Sequence, residues 1–336
     1  MMADKLRVFE AFSGIGSQRK ALQNIGIDHE VVAISEIEPF AIQSYNLVHG
    51  RTNNLGDISK IDIKNVPDHD FFTYSFPCQD VSNAGRSMGF AKGSGTRSSL
   101  LWECQKIIEG KKPKYLMMEN VGNLVGKKYI DDFNLWLDWL SEQGYTNYWD
   151  KLNALDFNVP QNRERVFVIS ILNDDQGFEF PEKIPLTAKL DDYLDRTVPD
   201  VYYLSDEKVE NFLRHTNGKP DLTQQILGTT HAHGDIKRSI RERVYNPLMV
   251  SPTLSATMHK DPPKVLAFDD AFPIGNTGMS LRKFTPRECW RLMGFTDDDY
   301  TKAREVTSLR QLYIQSGNSI SVDVLEAIFK QLFTKE

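Results

Sequence analysis

The sequence predicts an α/β fold, a doubly wound and mostly parallel sheet with a smaller irregular domain after it. Three observations predict it. Short apolar runs alternate with helix-patterned stretches from the N-terminus to about Leu172, the rhythm of strand–helix–strand crossovers. Residues capable of chemistry follow the ends of those runs, where open α/β sheets carry their sites. Beyond Leu172 the rhythm fades, and residues 173–280 carry prolines at 181, 185, 199, 220, 247, 252, 262, 263 and 273.

Residues 6–12 read as the first strand, and Ser13-Gly14-Ile15-Gly16 as a tight turn. A helix over 17–25 follows, closed by Gly26. Val31-Val32-Ala33-Ile34-Ser35 is a second strand ending at Glu36, and Pro39 sits in the first turn of a helix over 38–48. Asp57 and Ile58 end a short third strand or its loop. The run Phe71-Phe72-Thr73-Tyr74-Ser75-Phe76 is a buried strand that stops at Pro77. After a Gly/Ser-rich loop come a helix over 98–108, a strand Tyr115-Leu116-Met117-Met118 that runs into Glu119-Asn120-Val121, a helix over 130–143 and a strand over 166–170. Thr285 as N-cap and Glu288 as the reciprocal acid restart a helix by a capping box. An amphipathic helix over 321–333 is expected to dock back on the first domain.

With 336 residues the chain exceeds one ordinary core, and 40% hydrophobic with 26% charged residues marks it as globular and soluble. A net charge of −6 argues weakly against a polyanionic partner, but charge can be segregated. Residues 231–265 hold Lys237, Arg238, Arg241, Arg243, Lys260 and Lys264 against Asp235, Glu242 and Asp261, either a solvated loop face or the footprint of a nucleic-acid site. The cysteines, Cys78, Cys104 and Cys289, form no CxxC pair, so a disulfide framework or a metal site is not expected and a reducing compartment is. No signal peptide and no membrane-spanning apolar stretch are present, which makes a cytoplasmic location the expectation.

Phe12-Ser13-Gly14-Ile15-Gly16 follows a strand and opens a helix. Its glycines let backbone approach a ligand, and a helix N-terminus favours a negative group. Glu36, about 20 residues on, is placed to accept from ribose hydroxyls, and Asp57 to take the amine of an adenine. Nicotinamide dinucleotides and S-adenosylmethionine share this logic; Arg19 stands where a pyrophosphate turn has its third glycine, which favours the methyl donor. A structural turn and surface carboxylates are the plain alternatives.

Cys78 and Glu119 each follow a strand. A thiolate that adds to carbon 6 of a cytosine makes carbon 5 nucleophilic toward a sulfonium methyl, and an acid at ring nitrogen 3 favours that addition. Pro77 stiffens the chain before the thiol. Cys104 and Cys289 lie within helical patterns and read as structural. In Gln161-Asn162-Arg163-Glu164-Arg165 a guanidinium can bind a base oxygen or a phosphate, or brace a strand edge. Between Gln79 and Arg97, glycines at 85, 89, 93 and 95 with Arg86, Lys92 and Arg97 suit a lid closing over DNA, or a plain flexible loop.

Taken together, these residues resemble the DNA cytosine-5 methyltransferases of bacterial and phage type. The matching blocks are Val8-Phe9-Glu10-Ala11-Phe12-Ser13-Gly14-Ile15-Gly16, Ser75-Phe76-Pro77-Cys78-Gln79-Asp80-Val81-Ser82, Met118-Glu119-Asn120-Val121, Gln161-Asn162-Arg163-Glu164-Arg165 and Gln315-Ser316-Gly317-Asn318-Ser319-Ile320. Two weaker ones are Ser251-Pro252-Thr253-Leu254-Ser255-Ala256 and Thr285-Pro286-Arg287-Glu288-Cys289, and all fall in the family's order over nearly the whole chain.

The resemblance implies a Rossmann-like, S-adenosylmethionine-dependent methyltransferase. Cys78 would be the nucleophile. Glu119 would hold ring nitrogen 3 and the exocyclic amine, Arg165 the base oxygen, and Arg163 would support the site or a phosphate. Phe12, Gly14, Ile15, Gly16, Glu36, Asp57, Ile58, Pro77, Leu100 and Asn318 would line the cofactor site, with S-adenosylhomocysteine as product. Ser82 and Arg97 would touch DNA from the mobile loop, and Thr253 would brace backbone beside a flipped nucleotide, an extrusion that costs a few kcal/mol.

It also implies a catalytic domain over 1–185, a target-recognition domain over 186–280 that encloses a double-stranded DNA cleft with it, and a returning segment over 281–336. Arg241 and Arg243, within the basic stretch 237–243, and residues 257–261 are the candidate DNA-facing elements. A monomer, nucleoid association and a partner restriction endonuclease are further expectations. Enzymes of this fold that methylate a tRNA cytosine carry a Cys-Phe-Thr tripeptide in the recognition half, which this chain lacks. A catalytically silent DNA binder would be expected to have lost Cys78, Glu119 or the glycine turn. A dehydrogenase would leave the Pro-Cys and Glu-Asn-Val blocks without a role.

Overall fold

The computed structural model describes residues 5–77, 97–237, 240–268 and 280–334. They form two compact units. The first comprises 1–153, 164–183 and 322–336, the second 154–163 and 184–321.

In the first unit the strands are β1 (Leu6–Ala11), β2 (His29–Ser35), β3 (Phe71–Tyr74), β4 (Tyr115–Val121), β5 (Tyr145–Asn153) and β6 (Glu164–Leu172), and the helices are α1 (Ser17–Asn24), α2 (Pro39–His49), α3 (Cys104–Lys111) and α4 (Ile130–Glu142). The sheet order is β2-β1-β3-β4-β6-β5. Pairings from β2 to β4 are parallel, while β4–β6 and β6–β5 are antiparallel. The twofold period of the strands sets the core. Phe9, Ala11, Phe72, Tyr74, Leu116, Met118, Val166 and Val168 share one apolar cluster with Ile107 and Ile108 of α3 and Phe133, Trp136 and Leu140 of α4. The intervening Phe71 meets Phe329 and Phe333, at ring-centroid separations of 5.4 and 5.2 Å, from a C-terminal helix, α9 (Val322–Phe333). This helix also packs on α1, where Asn24 donates to Glu326 at 2.7 Å. The C-terminal helix thus packs on the first sheet, whereas residues 281–321 belong to the second unit.

The structure completes the sequence reading at two points. Of the strand and the loop expected at Asp57 the loop is found: Asn54 makes only an isolated bridge to Ile34, and Asp57 caps a 3-10 turn, Ile58–Lys60. Strand β5 escaped the sequence reading because Tyr145–Asn153 is a sheet edge and largely polar, with little apolar alternation to betray it.

The second unit is more regular than its prolines suggest. Strands β7 (Ile226–Thr229), β8 (Arg243–Tyr245), β9 (Lys264–Ala267) and β10 (Ser280–Lys283) form a sheet in the order β10-β9-β8-β7. Helix α5 (Asp206–Thr216) covers it, with Phe212 set among Leu227, Val244, Leu266 and Leu281. Strands of three or four residues are too short to announce themselves by periodicity. Helices α6 (Pro286–Arg291), α7 (Asp297–Val306) and α8 (Leu309–Asn318) complete the unit. The capping box stands as expected: Glu288 N donates to Thr285 Oγ1 at 3.2 Å and Thr285 N to Glu288 Oε2 at 2.7 Å. The same carboxylate pairs at 2.8 Å with Arg282, and both side chains are fully buried.

Candidate active site

The turn after β1 is built from left-handed residues: Phe12, Gly14 and Gly16 have φ of 54°, 55° and 81°. They reverse the chain between strand and helix within a few residues. Phe12 N donates to Ser35 O at 2.7 Å, tying the turn to the end of β2. There the Glu36 carboxylate accepts Gly14 N–H at 2.8 Å, Ile37 N–H at 2.8 Å and Glu38 N–H at 2.9 Å, so two segments distant in sequence meet. Asn54 fixes the backbone of Glu36 from both sides, accepting its N–H at 3.1 Å and donating to its carbonyl at 3.0 Å.

The turn has one open face and one packed face. A Cβ added at Gly14 would touch nothing within 4 Å, whereas one at Gly16 would lie 2.5 Å from His49 and 2.7 Å from Tyr45. Ser13 is 4% exposed, and its hydroxyl has no hydrogen-bond partner among the described residues. An open glycine cradle, an orphaned buried hydroxyl and an adjacent oriented carboxylate fit a nucleoside ligand with a polar tail.

Around this turn the other expected cofactor residues fall unequally. Asp57 Oδ1 accepts from Ser59 Oγ at 2.7 Å and Ser59 N at 3.1 Å, and the Ser59 hydroxyl is the main reason its carboxyl lies below the ordinary range. Ile58 is buried and belongs to the core, with half-buried Leu100 packed against it. Pro77 closes the segment after β3. Asn318 is exposed at the end of α8 and belongs to the second unit.

At the carboxyl ends of β3 and β4, Tyr74 pairs in register with Met118, so Glu119 lies one residue past the last pairing. Its side chain is 10% exposed, and Arg165 Nε stands 3.3 Å from its Oε1. Register explains the meeting: Val121 pairs with Arg165 across β4–β6, which makes Arg165 a diagonal neighbour of Glu119 on one face. Asn120, 2% exposed, donates through Nδ2 to Phe76 O at 3.0 Å. That bond anchors the chain two residues before Cys78. Cys78 and Ser82 lie outside the described residues, as does the side chain of Arg97. Cys104 and Cys289 are fully buried, and burial pushes both thiols well above their ordinary value. Such thiols are inert.

In the second unit Arg163 is 3% exposed. It donates to Leu254 O at 2.8 Å, Gly317 O at 3.2 Å and Ser319 O at 2.5 Å, a brace among three backbone carbonyls. Thr253 Oγ1 donates to Asn162 O, and Gln161 holds both Leu292 O, at 3.0 Å, and Leu254 N, at 3.1 Å. The QNR segment thus organises the 251–255 loop.

Arg241 is exposed, and Arg243 donates from Nε to Ile236 O at 2.9 Å. Lys264, counted by sequence among the basic charges, is instead completely buried. Its ammonium donates to Arg241 O at 2.6 Å and Asp261 Oδ2 at 2.9 Å and lies 3.4 Å from Glu242. Burial opposes ionisation of Glu242, yet the Thr230 hydroxyl, Lys264 and Lys208 outweigh it and hold its carboxyl at about 2. The basic surface is therefore smaller than the sequence count, and its internal ion network shapes the turn that carries Arg241.

Sequence reasoning gave no role to Asn120, Ser13 or Gln161, although each stood inside a recognised block. His49 and Tyr45 were missed altogether, because a lone histidine or tyrosine in a helix carries no pattern.

A glycine cradle at one sheet end, with a carboxylate–guanidinium pair beside a strand that leads into Pro-Cys, fits a base-modifying transferase. The family described as C-5 cytosine-specific DNA methylase matches residues 6–334, and the chain belongs to it. It is a DNA cytosine-5 methyltransferase. Type II methyltransferase M2.ScrFI of Lactococcus lactis subsp. cremoris is 42% identical over 98% of this chain and 100% of that protein. Orphan methyltransferase M.SPBetaI of Bacillus phage SPbeta is 31% identical, covering 98% and 97%. Among solved structures, the Dnmt2 methyltransferase of S. pombe superposes with a TM-score of 0.71 at 22% identity over 98% of this chain and 99% of that one, a likeness of fold. No helix among the described residues is long and apolar enough to cross a membrane.

Proposed function

We propose that the enzyme moves the methyl group of S-adenosylmethionine to carbon 5 of a cytosine flipped out of a specific short double-stranded DNA sequence, through a covalent adduct at Cys78. The observation that carries this reading is the pairing of buried Glu119 with half-buried Arg165, next to an Asn120 that anchors the chain leading to Cys78. Elimination supports the choice of thiol, since Cys104 and Cys289 are sealed in cores.

Cys78 Sγ attacks carbon 6 of the base. Glu119 hydrogen-bonds ring nitrogen 3 and the exocyclic amine, drawing electrons from the ring. Arg165 orients Glu119 and reaches the base oxygen, a charge-assisted contact. S-adenosylmethionine, when bound, supplies an electrophilic methyl on sulfur. Phe12, the Gly14–Gly16 backbone, Glu36 and Asp57 would hold it, with Ile58, Pro77, Leu100 and Asn318 carried over from the family resemblance, and Ser13 would offer its hydroxyl to the polar tail. No metal is required. Carbon 5 would then take that methyl as the donor's sulfur–methyl bond breaks, its proton would pass to water, and departure of the Cys78 thiolate would restore the aromatic base. Arg163 acts through the loop and helix end that it braces. Ser82, Arg97, Thr253, Arg241 and Arg243 contact DNA, and the segment 186–280 reads the target sequence. The protein acts as a monomer in the cytoplasm, with or without a cognate endonuclease.

Two experiments test this. Expression in a host without cytosine methylation, followed by bisulfite sequencing, should show protected cytosines in one short motif. An oligonucleotide of that motif with 5-fluorocytosine at the target should trap a covalent complex with the wild-type enzyme but not with Cys78→Ser, which should still bind S-adenosylhomocysteine. Full turnover by Cys78→Ser would end the covalent mechanism.

A further inference from the structure

The cofactor turn is held from behind by side chains with no place in the chemistry above. His49, in the last turn of α2, is 8% exposed, and its Nε2 lies 2.9 Å from Ile15 O. Its ring and that of Tyr45 fill the space in which a Cβ of Gly16 would sit. The two rings stand 4.9 Å apart, and the Tyr45 hydroxyl donates to Glu10 Oε2 on β1 at 2.7 Å. The Arg19 guanidinium of α1 lies 5.8 Å from the Tyr45 ring centre and donates to Thr52 Oγ1 at 2.9 Å. Strand, turn and both helices are therefore joined through His49, Tyr45, Glu10 and Arg19.

Geometry divides the labour within the turn. Gly16 must be glycine because His49 and Tyr45 occupy the space above it, while Gly14 faces open space. A carbonyl at Ile15 pinned to an imidazole fixes the Ile15–Gly16 peptide plane, whose N–H donates back to Ser13 O at 2.9 Å, so the contact holds the turn closed while Glu36 orients the Gly14 N–H. We infer that His49 is a positioning residue for the S-adenosylmethionine site: its Nε2–H holds the Ile15 carbonyl and thereby presets the turn that receives the cofactor. This rests on reading the turn as the cofactor site.

The test compares His49→Phe, which keeps ring volume without the donor, with His49→Gln, whose amide nitrogen reaches the same point. Calorimetry with S-adenosylhomocysteine should show roughly tenfold weaker binding by the phenylalanine variant, the scale of one lost buried hydrogen bond. The glutamine variant should stay near wild type. In turnover assays KM for S-adenosylmethionine should rise in His49→Phe while kcat at saturating cofactor and KM for DNA hold. Equal, undiminished affinity in both variants overturns the inference, as does an equal loss in both, which is what damaged packing alone would give. If His49→Phe does not fold, His49→Met takes its place with the same expected loss, and wild-type affinity in that variant counts against the proposal. Wild-type protein that fails to bind S-adenosylhomocysteine would refute the cofactor reading and this inference together, whereas normal wild-type binding with indifferent variants refutes only the inference.

Discussion

Glu10 is fully buried on β1, and burial pushes its carboxyl from an ordinary 4.5 to about 7, with the Tyr45 hydroxyl and Arg19 opposing the rise. A proton is then held more tightly in the folded than in the unfolded chain. Where the folded state binds more protons, stability falls as pH rises. The loss begins near 4.5, accumulates up to about 7 and is complete above that. At 1.36 kcal/mol per pKa unit, the gap amounts to about 3 kcal/mol. Replacing the acid by its neutral isostere, Glu10→Gln, keeps an acceptor for Tyr45 and removes the titration. Urea or thermal unfolding of both proteins from pH 4.5 to 8 measures the effect. The variant should match wild type at the acid end and exceed it by about 3 kcal/mol at pH 8, a midpoint gain of roughly 5 °C or more for a chain of this size. Comparison with wild type cancels other groups that titrate in the same window, notably Asp323, raised to about 6, and His69, lowered to about 4. Parallel pH profiles for the two proteins would refute the reasoning.

Three more expectations can be checked directly. Glu288→Ala strands the fully buried Arg282 and removes the α6 capping box, so the second unit should lose about 3–5 kcal/mol in denaturant unfolding, a loss much reduced in Glu288→Ala/Arg282→Met. Gly317→Ala places a methyl 2.2 Å from the Ser255 carbonyl carbon, and that backbone contact cannot yield cheaply, so the expected loss is above about 2 kcal/mol by the same assay. Arg165→Lys keeps the charge but loses the planar fork beside Glu119. Its kcat should fall at least about tenfold with S-adenosylhomocysteine affinity unchanged, as read by methyl-transfer kinetics and calorimetry.

Much of the site was legible because its chemistry is compressed into short blocks at strand ends. A strand followed by Phe-Ser-Gly-Ile-Gly reads as a tight turn, and Glu36 was singled out by its spacing from it, although that pattern alone leaves a structural turn as likely as a ligand site. Capping chemistry is equally local, which is why Thr285 and Glu288 were read correctly. For Asp57 the sequence left a strand end and a loop open, because a carboxylate capping Ser59 and one closing a strand look alike in one dimension, and the structure places it in the loop. Lys264 was misread as a surface charge for a related reason: nothing local says that a lysine between two prolines and a Val-Leu pair ends in a cage of Asp261, Glu242 and a carbonyl.

The order of hydrophobic runs, glycines and caps along the chain, by itself, determined the alternating strands and helices of the first sheet, the glycine turn after β1 and the candidate nucleophile and acid. Those signals act over a few residues and survive in one dimension. Only the folded chain decided that β5 and β6 run antiparallel, that four very short strands form a second sheet, that Arg163 is spent on backbone carbonyls and that His49 stands behind the turn. Each of these depends on which distant segments exclude water from one another, and that is settled by packing in three dimensions, where sequence spacing leaves no trace.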